Sequence, residues 1–304
     1  MFKRIFTMDI KTPPELIRTK YGFYHYLPLP TEEELRQYYA DKYYQHGVGS
    51  YSISYSEEEI EYFKLKARLV YKKVSMLMDM KKKRSFIDIG CGEGWVLNEF
   101  EKKGNTVLGV DFSRYGVEKF HPHLLSSFEQ GNIYDLLENM IEKGSRFDIL
   151  MLANVIEHVI DPETLLQKIK GIMFPESLLI IIAPNDFSRL QELLIEKKKI
   201  SRKFWLAYPD HLSYFNKESM GYFLSAQEFE LKAVVAENPV DLNLLNDNSN
   251  YIEDPEKGKA THMFRVLADN FLADNDTDKL LQIYEILGSM GIGRDLNYYC
   301  SMSK

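Results

Sequence analysis

Three glycines at alternate positions, flanked by acidic residues, form the segment of the sequence best suited to chemistry. Gly90, Gly92 and Gly94 follow a short apolar run, and glycine lets a chain turn sharply and bring bare backbone against a ligand. Asp88 comes just before the loop, where its carboxylate, or a water bound to it, can meet an ammonium group. Asp111 ends the next apolar run, where a carboxylate can accept hydrogen bonds from both hydroxyls of a ribose.

Two cofactors compete for such a loop. A dinucleotide fingerprint requires Gly-x-Gly-x-x-Gly, whose backbone wraps a pyrophosphate, and the position of its third glycine is Trp95 here. S-adenosylmethionine has no phosphate and carries a cationic amino-acid end, which suits Asp88. Asn132 and Asp135 follow at a place where their side chains could contact the edge of an adenine ring. The residues therefore favour adenosylmethionine over a dinucleotide.

Two histidines are candidates for a general base. His158 ends the segment Asn154-Val-Ile-Glu-His158 after a predicted strand, and His211 lies in a polar and aromatic loop after the next one. Histidine titrates near neutrality, so either could take a proton from a hydroxyl, although both could instead be structural. The other histidines are predicted to lie mostly at the surface: His25, His46, His121, His123 and His262. Lys259, His262 and Arg265 recur at one-turn spacing, which suits either a solvated helix face or an acceptor phosphate.

Strands and helices alternate around these residues. Ser56 and Glu59 have the spacing of a capping box, so a helix is predicted to begin there. Strands are predicted at residues 85–90, 105–112, 147–152, 178–183 and 229–236, with helices at 95–103 and 161–173. Such alternation indicates an α/β fold with a doubly wound, mostly parallel sheet, whose ligands bind beyond the carboxyl ends of the strands.

The motifs together resemble those of class I S-adenosylmethionine-dependent methyltransferases. The resemblance rests on Asp88-Ile-Gly-Cys-Gly-Glu-Gly94, on Gly109-Val-Asp-Phe-Ser113 and on the segment 147–159. Three later stretches, at 184–188, 209–215 and 243–251, are similar to bacterial methyltransferases of surface-polysaccharide gene clusters. One departure is Gln227-Glu-Phe229, where such proteins usually have Gly-Phe before the sixth strand. The resemblance implies a Rossmann-like sheet of seven strands.

The resemblance also implies a site and a reaction. We predict S-adenosylmethionine as cofactor, S-adenosylhomocysteine as product, and methyl transfer to oxygen, less often nitrogen, of a small acceptor such as a sugar, a sugar-nucleotide or a phosphorylated precursor. The predicted catalytic residues are His211 first and His158 second. The residues predicted to line the cofactor are Asp88, Gly90, Cys91, Gly92, Gly94, Asp111, Phe112, Asn132, Ile133 and Asn154.

Four segments are expected around this site. Residues 1–84, rich in tyrosine, are predicted to form a helical cap, and residues 85–237 the cofactor-binding core. Residues 238–291 interrupt the alternation and are predicted to be a helical insert that lines the acceptor pocket together with the cap. Residues 292–304 are predicted to close the sheet.

The composition of the chain restricts its binding partners and its cellular location. A net charge of −7 disfavours nucleic acid, which needs a dense basic face. Two cysteines give no disulfide framework and no zinc pattern, so no metal is predicted. The longest apolar run, 178–184, is too short to span a membrane, and we expect a cytoplasmic protein. A homodimer is one assembly that we consider for it. An NAD-dependent oxidoreductase and a non-catalytic cofactor-binding partner are the alternatives.

Overall fold

The computed structural model of the chain describes residues 14–31, 33–35 and 54–303. Within these residues the strands are β1 (Glu15–Arg18), β2 (Tyr24–Leu27), β3 (Ser85–Ile89), β4 (Thr106–Asp111), β5 (Phe128–Gln130), β6 (Phe147–Ala153), β7 (Met173–Pro184), β8 (Ser213–Tyr214), β9 (Phe229–Ala236) and β10 (Asp295–Met302). The longer helices are α1 (Glu57–Leu77), α2 (Trp95–Lys102), α3 (Tyr115–Phe120), α4 (Ile133–Glu142), α5 (Pro162–Gly171), α6 (Arg189–Glu196), α7 (Lys217–Ala226) and α8 (Gly258–Ser289).

Seven strands form the main sheet, in the order β5-β4-β3-β6-β7-β10-β9. The neighbours from β5 to β7 are parallel, whereas β10 is antiparallel to both β7 and β9. This confirms the predicted seven-stranded, mostly parallel sheet. The chain leaves β3 toward β4 on one side and returns to β6 on the other, so the carboxyl ends of β3 and β6 mark the switch point at which ligands bind in open α/β sheets.

Helices cover both faces of this sheet and bury one apolar cluster on each. Helices α1, α2 and α8 pack on one face with Phe86, Ile149 and Tyr299. Helices α4, α5 and α7 pack on the other face with Ile87, Leu150 and Tyr298. Adjacent residues of one strand thus enter opposite clusters, as the period of two in a strand requires. The resulting layers are helix, sheet and helix.

Helix α1 begins as the sequence predicts. The Ser56 side chain accepts from the Glu59 backbone N–H, and the Glu59 carboxylate accepts from the Ser56 N–H. Apolar residues recur at three- and four-residue steps in its sequence and predict a buried face of Ile60, Phe63, Ala67, Val70, Val74 and Leu77. The apolar residues that are buried are Tyr62, Leu65, Ala67, Leu69, Val70 and Val74. The buried face is therefore rotated toward Leu65 and Leu69, because the helix packs between α2 and α8 and not on the sheet alone.

The described residues near the N-terminus correct the predicted helical cap. β1 and β2 form an antiparallel hairpin that pairs with β8. The sequence also predicts a helix that begins at residues 31–34 and ends near residue 44; of this stretch the structure describes residue 31 and residues 33–35, and the latter three are helical. Phe23 lies 4.4 Å from Phe215 between ring centroids, and Tyr24 lies 4.2 Å from Phe187. Aromatic residues favour such half-buried strands, and the tyrosine-rich composition reflects strand packing.

The insert also differs in part from its prediction. Two short 3₁₀ turns, Val240–Leu245 and Pro255–Lys257, precede α8, whose helix is interrupted at Asp276 by non-helical backbone angles. The sequence predicts two helices within the insert, at 257–272 and 277–290, and the break falls between them. Leu280 and Tyr284 of the second half are buried against α1 and the sheet. This half therefore belongs to the core and not to an acceptor pocket.

Candidate active site

The loop after β3 has the shape that its glycines predict. Gly90, Gly92 and Gly94 all have positive φ angles, of 78°, 53° and 78°. A Cβ atom on Gly90 would lie 2.3 Å from Cγ2 of Val155, which belongs to the turn after β6. Glycine is thus required at position 90 both by the backbone angle and by the close approach of that turn. This approach brings the turn carrying His158 next to the glycine loop.

Asp88 is buried at the end of β3 without a counter-charge. Its side chain is 2% exposed, and Oδ1 has no hydrogen-bond partner among the described residues. Burial, followed by the negative charge of Asp111, raises the pKa of the Asp88 carboxyl to about 8. A buried carboxylate of this kind is stabilised by a cation. The residues present therefore fit a ligand that brings an ammonium group to the loop.

Asp111 at the end of β4 organises two adjoining turns. Its Oδ2 accepts from the Gly92 N–H at 2.9 Å, and its Oδ1 accepts from the Ser113 N–H at 2.9 Å. Burial raises the pKa of the Asp111 carboxyl, although these two hydrogen bonds favour its charged form. Each carboxylate oxygen has a second lone pair, so the group can also accept from ribose hydroxyls.

The other predicted cofactor residues lie near this edge but differ in which of their groups can contact a ligand. The Asn132 side chain caps α4 by accepting from the Tyr134 N–H at 2.8 Å, and Ile133 is the first residue of that helix. Phe112 follows Asp111, and Asn154 is exposed with a φ of 53°. The buried Cys91 side chain points into the core against Gly109, so only its backbone can face a cofactor.

Glu93, within the loop, was not among the predicted site residues. Its carboxylate accepts from the Tyr55 hydroxyl and from Trp95 Nε1, both at 2.7 Å. Nδ1 of His121 donates to the Glu93 carbonyl at 2.7 Å. These contacts fix the loop to the segment that precedes α1. Its position between two glycines was the only available signal for this role.

Two of the histidines predicted at the surface are buried, which corrects those predictions. His121 is buried beside the glycine loop, and His25 is buried and hydrogen-bonded to the Ser213 hydroxyl at 2.8 Å. Burial lowers the pKa of both imidazoles. His123 is half exposed, as predicted, whereas His46 lies outside the described residues.

His262 belongs to a contact between α8 and α1. It donates to Glu59 at 2.9 Å and accepts from Arg265 at 2.7 Å. Two members of the Lys259, His262 and Arg265 triplet are thus engaged within the protein. This arrangement favours a structural role for the triplet over the capture of an acceptor phosphate.

His158 and His211 lie side by side at the carboxyl edge of the sheet. Their ring centroids are 4.8 Å apart, with the planes nearly perpendicular. Nδ1 of His158 donates to the Asp210 carbonyl at 2.6 Å, so its Nε2 is the acceptor nitrogen of the neutral ring. The His211 carbonyl accepts from the Tyr214 hydroxyl at 2.9 Å. The structure thus brings both predicted bases together, next to the turn that touches Gly90.

Glu157, beside them, was also missed by sequence reasoning. Its side chain is 1% exposed, and burial raises the pKa of its carboxyl well above the usual range. Its backbone carbonyl accepts from the N–H groups of Leu212 and Ser213, at 2.8 and 3.1 Å. The neighbouring His158 was the only sequence signal, since burial of Glu157 depends on the distant loop that covers it.

Comparison with known proteins identifies the family. The sequence profile of a family described as a methyltransferase domain matches residues 60–234, more than half of the chain. The chain belongs to this methyltransferase family. This confirms the prediction of a methyltransferase domain.

Individual relatives are more distant. The ubiquinone biosynthesis O-methyltransferase of Actinobacillus pleuropneumoniae serotype 5b is 26% identical, over 37% of this methyltransferase and 50% of that protein. Its counterpart in Glaesserella parasuis serovar 5 is 28% identical, over 56% and 77% of the two chains. The match thus spans half the length of the first relative. A solved S-adenosylmethionine-dependent methyltransferase from Archaeoglobus fulgidus is 19% identical, with a TM-score of 0.47, over 81% of this chain and 100% of that one.

These relatives are named for ubiquinone biosynthesis and not for surface polysaccharides, so the narrower resemblance to polysaccharide-cluster methyltransferases stays a prediction. Among the residues that the structure describes, no helix has both the length and the apolar character to cross a bilayer.

Proposed function

We propose that this methyltransferase transfers a methyl group to an oxygen of a small molecule, at the carboxyl edge between β3 and β6. The observation that carries the proposal is the contact of Val155 with Gly90, which joins the predicted cofactor loop to the turn bearing His158. Cofactor residues and candidate bases thereby converge on one edge. The printed names of the relatives, O-methyltransferases, support oxygen over nitrogen.

The residues proposed to hold S-adenosylmethionine are those of the predicted set. Asp88 would receive the ammonium group and Asp111 the ribose hydroxyls, while the backbone at Gly90, Gly92 and Gly94 would approach the ligand. Asn132, Ile133 and Phe112 would lie toward the adenine, and Asn154 and the Cys91 backbone would complete the edge. When bound, the cofactor supplies a methyl group that its sulfonium already activates. The protein must therefore chiefly align the acceptor.

A hydroxyl acceptor must also lose its proton, and the histidine pair is the proposed base. His211 is the first candidate and His158 the second. In the neutral pair, Nε2 of His158 is an acceptor because Nδ1 donates to Asp210. A positioned base of this kind contributes about 10²–10⁴-fold to the rate.

The charges around the histidines restrict the chemical class of the acceptor. Glu157 is buried beside the histidines and Asp186 acts on it, while Arg294 is engaged by Asp186 at 3.0 Å and by the buried Asp241 at 3.7 Å. An edge so rich in acid disfavours a phosphorylated precursor. A neutral hydroxyl compound, a sugar included, fits better. The homodimer and the cytoplasmic location stay predictions.

Calorimetry and turnover test the proposal. Adenosylmethionine should bind and NAD should not, and Asp111→Ala should weaken adenosylmethionine binding at least about tenfold, because it loses charge-assisted hydrogen bonds. Release of S-adenosylhomocysteine should then be measured with catechol, with a uridine-diphosphate sugar and with a primary amine as probes. Glu176→Gln, at an exposed position, is the matched control. Turnover with the amine alone would overturn oxygen as the acceptor atom.

A further inference from the structure

The carboxylate of Glu157 faces the histidine pair without a partner of its own. Neither Oε1 nor Oε2 has a hydrogen bond within the described part of the chain, and both are fully covered. Glu157 Oε1 lies 3.8 Å from Nε2 of His158, and one ligand atom from each of Glu157, His158 and His211 lies within 4.8 Å of the others. Three groups able to accept a hydrogen bond therefore converge, with the carboxylate fully buried and the two imidazoles partly exposed. A positive charge would stabilise such a set.

The spacing favours a proton over a metal ion. Two ligands bound to one zinc ion at about 2.0–2.2 Å lie about 3.0–3.5 Å apart, closer than Glu157 Oε1 and His158 Nε2. The separation of 3.8 Å is, however, that of an ion pair if Nε2 carries a proton. His158 is oriented for this state, because its Nδ1 already donates to the Asp210 carbonyl. A protonated His158 would then have both ring nitrogens opposite oxygen atoms.

The proposed reaction creates such a charge. The methyl group moves from the sulfonium sulfur to the acceptor oxygen, the acceptor O–H bond breaks, and its proton moves to an imidazole nitrogen. The reaction thus removes one positive charge from the cofactor and places one on the histidine pair, with no net change of charge. We propose that Glu157 is a positioning residue whose carboxylate balances the imidazolium that forms when the His158–His211 pair takes the acceptor's proton. This inference rests on the proposed transfer to a hydroxyl.

Other charged groups face the same place from each neighbouring element. Asp186 follows β7, Asp210 lies in the loop before β8, and Asp295 begins β10, and all three act on Glu157. Arg294, the cation beside Asp186, is already paired with both Asp186 and Asp241. Glu157 differs from Asp186 and Asp241 in having no such cation. The charge it lacks is the one that the histidine pair acquires.

Histidine titration tests the inference without any acceptor. The titration midpoints of His158 and His211 would be followed by NMR in the complex with S-adenosylhomocysteine. Glu157→Gln removes the charge at nearly constant shape, and at least one midpoint should fall by about one pH unit. Glu157→Asp should retain most of the wild-type midpoint, and the exposed control Glu176→Gln should leave both unchanged. The cofactor affinity of all variants should stay within about twofold, since none of these residues is proposed to touch it.

The acid limb of turnover gives a second readout. With whichever probe is turned over, Glu157→Gln should lower the maximal rate at least about tenfold and shift the acid limb to lower pH, because the base without its counter-charge holds its proton less tightly. Unchanged midpoints in the Gln variant overturn the inference, and so does loss of turnover on chelation that added Mg²⁺, Mn²⁺ or Zn²⁺ restores. If Glu157→Gln does not fold, both wild-type midpoints at or below about 6.5 overturn it as well. Because titration needs no acceptor, failure of this inference remains separable from failure to find one.

Discussion

Folding and cofactor binding favour opposite protonation states of Asp88. The folded protein keeps this carboxyl protonated up to about pH 8, whereas the unfolded chain releases the proton near pH 3.8. Between these values the unfolded state binds fewer protons, so the contribution of Asp88 to stability falls as the pH rises. Asp88→Asn should therefore stabilise the ligand-free protein by about 1–3 kcal/mol at pH 8 and by less at pH 5. Urea unfolding at both pH values measures this.

The same substitution should weaken the binding of S-adenosylmethionine. In the wild type, an ammonium group binds the ionised form of Asp88, so adenosylmethionine affinity should rise as the pH increases from 6 toward 8. Asp88→Asn should bind more weakly and lose this rise, while the exposed control Asp274→Asn should keep it. An identical pH dependence in wild type and Asn variant would remove Asp88 from the cofactor site.

His211→Ala tests whether His211, the first candidate of the histidine pair, is the general base. Turnover should fall at least about a hundredfold, because a positioned base is lost, while adenosylmethionine affinity stays nearly constant. His158→Ala should do less, or should also disturb the loop that its hydrogen bond to Asp210 holds. Near-normal turnover in His211→Ala would mean that the acceptor needs no histidine base.

Single residues differ in how well the sequence reveals them. The positive φ angles of the glycine loop and the position of Asp111 follow from motifs whose residues are neighbours in the chain. Glu157, His25 and His121 were misjudged or missed because residues far away in sequence bury them. For His25, the covering contact is with Ser213, almost two hundred residues later.

At the scale of elements, the turn before β9 contains a local conflict. Glu228 adopts a φ of 60°, which favours glycine, and its side chain forms an exposed ion pair with Lys170. An exposed pair contributes little, whereas a left-handed conformation costs a non-glycine residue about 1 kcal/mol or more. Glu228→Gly should therefore raise the free energy of unfolding by about 0.5–1 kcal/mol. Glu228→Ala, which removes only the ion pair, should show no gain in the same chemical denaturation experiment.

The hairpin of β1 and β2 should be a fixed part of the fold. Its strands pair with β8, and Phe23 is packed against Phe215 and Phe223. Backbone amides in residues 15–27 that bond within this sheet should exchange slowly with or without S-adenosylhomocysteine. Mass spectrometry of deuterium uptake can show this. Protection of these amides that arises only with the ligand would instead show that the hairpin becomes fixed when S-adenosylhomocysteine binds.

At the scale of the whole molecule, alternation of strands and helices predicted a doubly wound, mostly parallel sheet, and the family resemblance predicted its seven strands. The boundaries of β3, β4, β6 and β9 agree with the predicted strands to within a residue or so at each end. The pairing of β2 with β8 was beyond reach, because it joins residues about 190 positions apart through a strand of only two residues. The half of α8 that packs on the sheet was likewise assigned to the acceptor side, since its amphipathic pattern does not say which surface covers it.

The position of β10 in the sheet determines when the sheet can be completed during protein synthesis. Residues 295–302 lie between β7 and β9 and hydrogen-bond to both, although both of those strands leave the ribosome much earlier. Until the last of these residues emerges, two long strands rich in apolar residues have open edges facing each other across a gap, and open edges of this kind invite pairing with other chains. The nascent methyltransferase is therefore most prone to aggregate in the interval between the synthesis of β9 and that of β10, which spans the whole of α8.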